Sequence, residues 1–305
     1  MLNSFFTVGF TLLARVAVAA PTDFVLVTVP GERAVKYIVP GEPAAKELIS
    51  EGLQQPHGLS FDTKTNTLYV TDVAAQKVFR YSLSASSKTE LTAGSATETA
   101  RNIEAYWSAV DPRSQRLFLT EKDSNFICAV DLQASDGSCK VTYQGETTAN
   151  PIGLPELKYP AGIDVDGRSL FYGNGQQALS TGSIFRGLLT PPSEAPVLTK
   201  LPDAAITDVV QGVCVTPSNV FYTDGGANLF ALKKWGGTPM AVSAGLSAGL
   251  GCAWNGDGAV YVADQQAGVY RIPSNMEKLQ PLLHLEKVSS TVGAAGVAVF
   301  STDVS

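Results

Sequence analysis

The residues of this chain that could do chemistry recur at matching places instead of gathering in one motif. Acids close three aromatic-rich stretches, Leu68-Tyr-Val-Thr-Asp72, Val220-Phe-Tyr-Thr-Asp224 and Val260-Tyr-Val-Ala-Asp264, while Glu121 and Asn174 close two of the same shape. A carboxylate so placed can accept backbone N–H bonds, ligate a hard cation or face a ligand. His57, one of two histidines, follows Pro56 and is a candidate proton shuttle, with a rim histidine bonded to a neighbouring loop as the plainer reading. No serine or cysteine nucleophile motif accompanies it, so no acyl-transfer apparatus is expected. Tyr106-Trp107 pairs two aromatics suited to an interface or carbohydrate-like contact, with core packing the plainer reading of Trp107. The four cysteines lack CxxC spacing and only two histidines are present, so no zinc site is expected.

A repeat must position these residues. Gly58-Leu-Ser-Phe-Asp begins a unit that continues through Asp72 to Val78-Phe-Arg-Tyr-Ser-Leu83; Trp107-Ser-Ala-Val-Asp, Gly162-Ile-Asp-Val-Asp, Gly212-Val-Cys-Val-Thr and Gly251-Cys-Ala-Trp-Asn begin four more. The five lie roughly 40 to 55 residues apart, the period of propeller blades. Each reads as strand, tight turn, strand, short loop, strand and a more variable fourth strand, with Asp, Asn, Gly and Pro supplying the turns. Helical periodicity is nearly absent. Gly296-Val-Ala-Val-Phe300 repeats a first strand just before the chain stops. Phe24-Val-Leu-Val-Thr28 and Val35-Lys-Tyr-Ile38 match the second and third strands, with Thr28 at the place of Asp72. The fold class is therefore all-β, a six-bladed β-propeller of four-stranded blades, its last blade made by N-terminal strands plus a C-terminal strand. Such closure removes the exposed sheet edges of an open array.

The strands Leu-Tyr-Val-Thr-Asp, Val-Phe-Tyr-Thr-Asp and Val-Tyr-Val-Ala-Asp resemble those of the six-bladed propellers of the YWTD, NHL and senescence-marker/gluconolactonase superfamily. That resemblance implies the fold over nearly the whole chain but leaves function open, since the superfamily holds receptor-binding modules, scaffolds and metal-dependent lactonases. In such blades two positions surround the upper mouth of the central channel. The first ring, entering the innermost strands, is His57, Tyr106, Ala161, Gln211, Leu250 and Ala295; the second, ending the next strands, is Asp72, Glu121, Asn174, Asp224, Asp264 and Thr28. The lactonases of the superfamily hold a divalent cation through Glu, Asn and Asp of the first ring. Here that ring carries no carboxylate, and Asp164 and Asp166 are not expected to supply the missing oxygens. Asp72, Asp224 and Asp264 are read first as loop ties; Glu121 and Asn174, which depart from the pattern, are expected to face solvent or ligand.

The bulk numbers agree with a well-cored extracellular domain. In 305 residues, 45% are hydrophobic and 16% charged, enough to bury a core. A net charge of −6 and no Lys/Arg-rich face exclude a nucleic-acid partner; Lys233-Lys234 is read as a solvated strand end. Residues 1–20 have the shape of a secretory signal peptide, an apolar run closing in Ala17-Val18-Ala19-Ala20, which leaves 21–305 as one propeller domain without a membrane span. Cys128 and Cys139, on adjacent strands of one blade, allow a hairpin disulfide; Cys214 and Cys252, on innermost strands of neighbouring blades, are read as packed thiols, with a bridge as the alternative. The leading expectation is a secreted, monomeric binding propeller without catalysis or cofactor. It recognises an extracellular protein or small molecule through His57, Asp72, Tyr106, Trp107, Glu121, Asn174, Gln211, Asp224 and Asp264. The alternatives are a metal-dependent hydrolase of the gluconolactonase type with a divergent site, using Ca²⁺ or another divalent cation, and a purely structural module.

Overall fold

The computed structural model describes residues 22–302 apart from 43, 122, 176–181, 194–195 and 202–208. The signal-peptide expectation for residues 1–20 thus lies outside the described residues. Runs of period-two and continuously apolar residues build strands throughout, and Pro30–Glu32 is the one helical turn among the described residues.

Six antiparallel sheets form the blades of a ring. Blade one spans 56–101, blade two 105–144, blade three 160–200, blade four 213–243 and blade five 249–289. In blade one the outer strand Thr97–Arg101 pairs one end of the third strand, and Leu91–Ala93 pairs the other. Blade six joins the two ends of the chain, as the repeat predicts. Val297–Thr302 is its innermost strand and pairs with Thr22–Val29, from Val27 opposite Val297 to Thr22 opposite Thr302, with Ala34–Ile38 and Lys46–Ile49 outside them.

Each blade shows one face to the preceding blade and one to the next, so the buried apolar residues fall into six clusters, one between each neighbouring pair. The closest approach is at the start of the innermost strands. A Cβ on Gly58 would stand 2.6 Å from the Tyr106 carbonyl oxygen, on Gly162 2.5 Å from that of Gln211, on Gly212 2.1 Å from Leu250, on Gly251 2.6 Å from Ala295 and on Gly296 2.1 Å from His57. Two of these glycines bond straight to the next blade, Gly162 N–H to the Gln211 carbonyl at 2.7 Å and Gly251 N–H to that of Ala295 at 2.9 Å. The other three work through a threonine hydroxyl. Gly58 donates to Thr71 Oγ1, which donates to Tyr106; Gly212 acts through Thr223 on Leu250, and Gly296 through Thr28 on His57. Blades three and five carry Gly173 and Ala263 where these threonines stand, which is why their stitch is direct.

That stitch corrects one alignment. Thr28 is the counterpart of Thr71 and not of Asp72, and Val29 occupies the acid's place. A slip of one residue turns a side chain to the opposite face, but Phe24 to Val27 is continuously apolar and contains no alternation to set the register.

One step along the inner strands, residues two past the glycine on one blade meet residues one past it on the next. At the first such junction Ser60 Oγ and Ser108 Oγ share a hydrogen bond of 3.0 Å. At the fourth, Cys214 and Cys252 form a disulfide with Cα atoms 5.7 Å apart, which overturns their reading as packed thiols. The bridge joins positions of opposite parity, Cys214 two past Gly212 and Cys252 one past Gly251, and this stagger is set by how the two sheets pack. Cys128 and Cys139 are bridged as expected, Cα to Cα 5.5 Å, and all four cysteines are paired.

Two outcomes follow. Deleting Val297–Thr302 should abolish the cooperative thermal transition followed by circular dichroism, because it strips blade six of its inner strand; an unchanged melt would show that closure is dispensable. Gly212→Ala should cost about 1–3 kcal/mol in urea unfolding from overpacking, while Gly258→Ala, with open space around it, should leave the midpoint in place.

Candidate functional site

The carbonyls held by the stitch belong to first-ring residues, so the same bonds that close the propeller fix the backbone of the upper mouth. Five of the six first-ring positions, His57, Tyr106, Ala161, Gln211 and Leu250, line a cavity of about 690 Å³ there. Ala295, the sixth, is buried.

Trp107 forms the floor. It stands where five other blades have glycine, and its indole crosses the axis to blade five, where a Cβ on Gly251 would meet Cζ3 at 3.0 Å. Only 7% of Trp107 is exposed, and its ring packs edge-on against His57 with centroids 4.7 Å apart. His57 Nδ1 lies 3.1 Å from the Tyr106 carbonyl oxygen, and the His57 and Tyr106 rings are 5.3 Å apart. Gly251 thus leaves free the space that the indole fills. The Thr120 hydroxyl beside Trp107 is buried without a hydrogen-bond partner, so the stitch is interrupted in this blade.

Three further residues that the sequence pattern did not mark line the cavity, Asp123, Tyr159 and Gln265. Asp123 and Gln265 sit in the loops just after the second-ring residues Glu121 and Asp264, which was the available signal. Tyr159 precedes Pro160 and has φ of 48°, a left-handed backbone that a bulky residue adopts at a cost of order 1–3 kcal/mol. Asn125 Oδ1 accepts the Tyr159 N–H at 2.8 Å, and the Tyr159 carbonyl accepts Gly175 N–H at 2.7 Å, which hold it there.

The second ring lies outside the cavity lining. Asp72 accepts from the N–H groups of Gln54, Gln55 and Ala75, and Asp264 from those of Ser247, Ala248, Gln266 and Ala267. Asp224 accepts from Gly226 and from the backbone and side chain of Asn228. Glu121 and Asn174 are buried as well, contrary to the expectation that they face solvent or ligand. Glu121 accepts Ser124 N–H at 2.6 Å, and Asn174 exchanges bonds with Lys158 N–H and the Glu156 carbonyl. Each ties upper loops down because it stands at or just past the end of a strand, where the chain must turn and loop N–H groups lack strand partners.

Oxygens of Glu104, Glu121 and Asp123 lie within 4.8 Å of one another on the rim of blade two, a carboxylate set of the kind a hard cation takes. Two of them are already engaged, Glu121 by Ser124 and Glu104 by the Gln76 amide. Their charge reaches Tyr106, whose hydroxyl is pushed up by burial and then by Asp123, Glu104 and Glu121.

No family model matches the sequence and no curated protein is significantly similar to it. Solved structures match by fold. A chain of a nidogen/laminin complex is 14% identical with a TM-score of 0.68, covering 91% of this chain and 98% of that one. A gluconolactonase from Xanthomonas campestris is 13% identical with a TM-score of 0.56 over 94% of both chains. An inactive virginiamycin B lyase from Staphylococcus aureus, solved with quinupristin, is 14% identical with a TM-score of 0.51 over 79% and 73%. The propeller is common to a binding partner and to two enzymes, so the site must carry the functional argument.

Below the Trp107 level the channel opens into a second cavity of about 730 Å³ at the lower mouth. Asp164 and Asp166 face it, away from the upper rings. Lys234, expected to be a solvated strand end, is buried, with its ammonium donating to Asp166 and to the Pro217 carbonyl. Trp235 stands exposed at the lower rim. Asp164 accepts Val215 N–H across the blade junction at 2.7 Å and Val165 N–H at 2.8 Å, yet burial still raises its carboxyl from 3.8 to about 6. The folded protein keeps this proton over a range where the unfolded chain has lost it. Stability contributed here therefore falls as pH rises from 3.8 to about 6 and levels off above. Asp164→Asn should flatten that segment of the stability–pH curve relative to wild type, read by urea unfolding at pH steps across it; parallel curves would refute the buried titration.

Proposed function

We propose that this chain is a secreted binding module that takes a protein or small ligand at its upper face. The observation that carries this reading is the composition of the upper cavity. His57, Tyr106, Trp107 and Tyr159 supply aromatic surface, Gln211 and Gln265 supply amides, and Asp123 is the only carboxylate among the described residues lining it. A few polar groups set among aromatic walls is the make-up of a recognition site. A metal-dependent hydrolase needs several oxygen ligands converging on the reacting centre; here Asp72, Glu121, Asp224 and Asp264 hold loop N–H groups, and of the blade-two rim set Glu104, Glu121 and Asp123 only Asp123 lines the cavity. Binding therefore rests on the first ring, Tyr159 and Asp123, with Asp72, Glu121, Asn174, Asp224 and Asp264 as supports.

Secretion is supported by two disulfides, which persist in oxidising compartments, and by the apolar N-terminal run ending at Ala20. Among the described residues no helix is long and apolar enough to cross a membrane. The nidogen/laminin neighbour lends an example of this architecture inside a protein–protein complex.

Immobilised protein should capture a ligand from an extracellular-matrix extract, and Tyr106→Ala with Tyr159→Ala should lose it while keeping the wild-type melting temperature. Glu121→Ala and Asp224→Ala should instead lower the melting temperature. Turnover of gluconolactone above the spontaneous rate, with stoichiometric metal found by native mass spectrometry, would replace this reading with the hydrolase.

A further inference from the structure

Among the described residues the lining of the upper cavity is electrically one-sided. Asp123 lines it, no lysine or arginine does so among the described residues, and the carboxylates of Glu104 and Glu121 stand within 4.8 Å of Asp123 just outside. Four of the other lining residues are aromatic, His57, Tyr106, Trp107 and Tyr159, with Trp107 and Tyr106 packed edge-on to His57 at 4.7 and 5.3 Å. An aromatic face carries negative charge density, and an ammonium ion gains from it most where water is displaced. A neutral polyol would satisfy Gln211 and Gln265 but would leave the carboxylate unmatched. An anion would meet both Asp123 and the ring faces unfavourably.

We propose that the ligand group seated in the upper cavity is an organic ammonium ion on an apolar stem, held between the aromatic rings and Asp123. This rests on the binding reading above and gives its ligand a chemistry. The ammonium end pairs with Asp123 near the rim, where its charge stays partly hydrated, and the stem lies toward Trp107 and Leu250. Gln211 and Gln265 accept the ammonium N–H groups through their amide oxygens. Tyr159 is the residue on which the cavity spends backbone strain, and its ring, set beside the first ring by Asn125 and Gly175, completes the aromatic wall.

Such an ammonium group can belong to a free small amine or to a lysine presented by a protein, and the experiment separates the two. Full-length mature protein is titrated by calorimetry with 2-phenylethylammonium, 2-phenylethanol and 3-phenylpropionate, and with Ac-Gly-Lys-Gly-NH₂ against its Nε-acetylated form. The ammonium compound should bind at least about tenfold more tightly than the alcohol, more tightly still than the carboxylate, and less tightly as salt is raised. Binding of the lysine peptide with loss on acetylation assigns the group to a protein partner; binding of the phenylethylammonium alone assigns it to a small amine. Asp123→Asn, an exposed position, should weaken the ammonium by about three- to tenfold and leave the alcohol unchanged. Tyr159→Leu should weaken it by about two- to tenfold. Equal affinity for ammonium and alcohol, preference for the carboxylate, or no heat from any ammonium probe at about 1 mM would overturn the proposal. If the probes fail while Tyr106-dependent capture from the matrix extract persists, the binding module stands and the cationic ligand falls; if both fail, the module reading falls too.

Discussion

Near the axis of the ring the backbone of one blade lies so close to the next that no side chain fits between them. Gly58, Gly162, Gly212, Gly251 and Gly296 occupy that level, and each sends its N–H toward the carbonyl of the neighbouring blade's first-ring residue, directly or through a threonine. The bond and the steric gap are one constraint. Removing water from a backbone N–H and C=O is tolerable only when they are paired, and the pairing distance is reached only where Cβ is missing. The residues just above are then pinned at the backbone with their side chains turned to the mouth.

Blade two breaks the rule, and the channel takes its character from that exception. A tryptophan at one of six positions can lie across the axis because the opposite blade presents Gly251. The indole divides the channel into an upper cavity of aromatic and amide residues and a lower one with half-buried Asp164 and buried Lys234 in its wall. Similarity of fold to both a nidogen/laminin chain and a gluconolactonase leaves that wall composition as the evidence that bears on function.

Acids that look functional in a strand-end motif can be spent on architecture. Asp72 and Asp264 each collect several backbone N–H groups from the loop entering the blade and the loop leaving the second strand. A carboxylate accepting so many bonds has little capacity left for a ligand. Asp123 comes from a loop held in place by Glu121, so the support and the exposed charge sit two residues apart. At the blade junctions a similar economy appears, with one pair of equivalent positions filled by two serines in one place and a disulfide in another.

The repeat by itself determined the blade count, the clasp between the ends of the chain and the first ring, because period-two strands, turn residues and recurring glycines are local signals that need no knowledge of neighbours. The Cys128–Cys139 bridge was legible for the same reason, being confined to one hairpin. Tertiary structure alone decided the rest. Thr28 took its register from a hydrogen bond to another blade, Cys214 met Cys252 through the relative parity of two sheets, and Lys234 was buried by packing against Asp166. Tyr159 entered the cavity through a left-handed backbone imposed by Asn125 and Gly175. Each of these depends on contacts between segments far apart in the chain, and the direction of a side chain at such a contact is set by how the sheets face one another, which no periodicity within a single strand encodes.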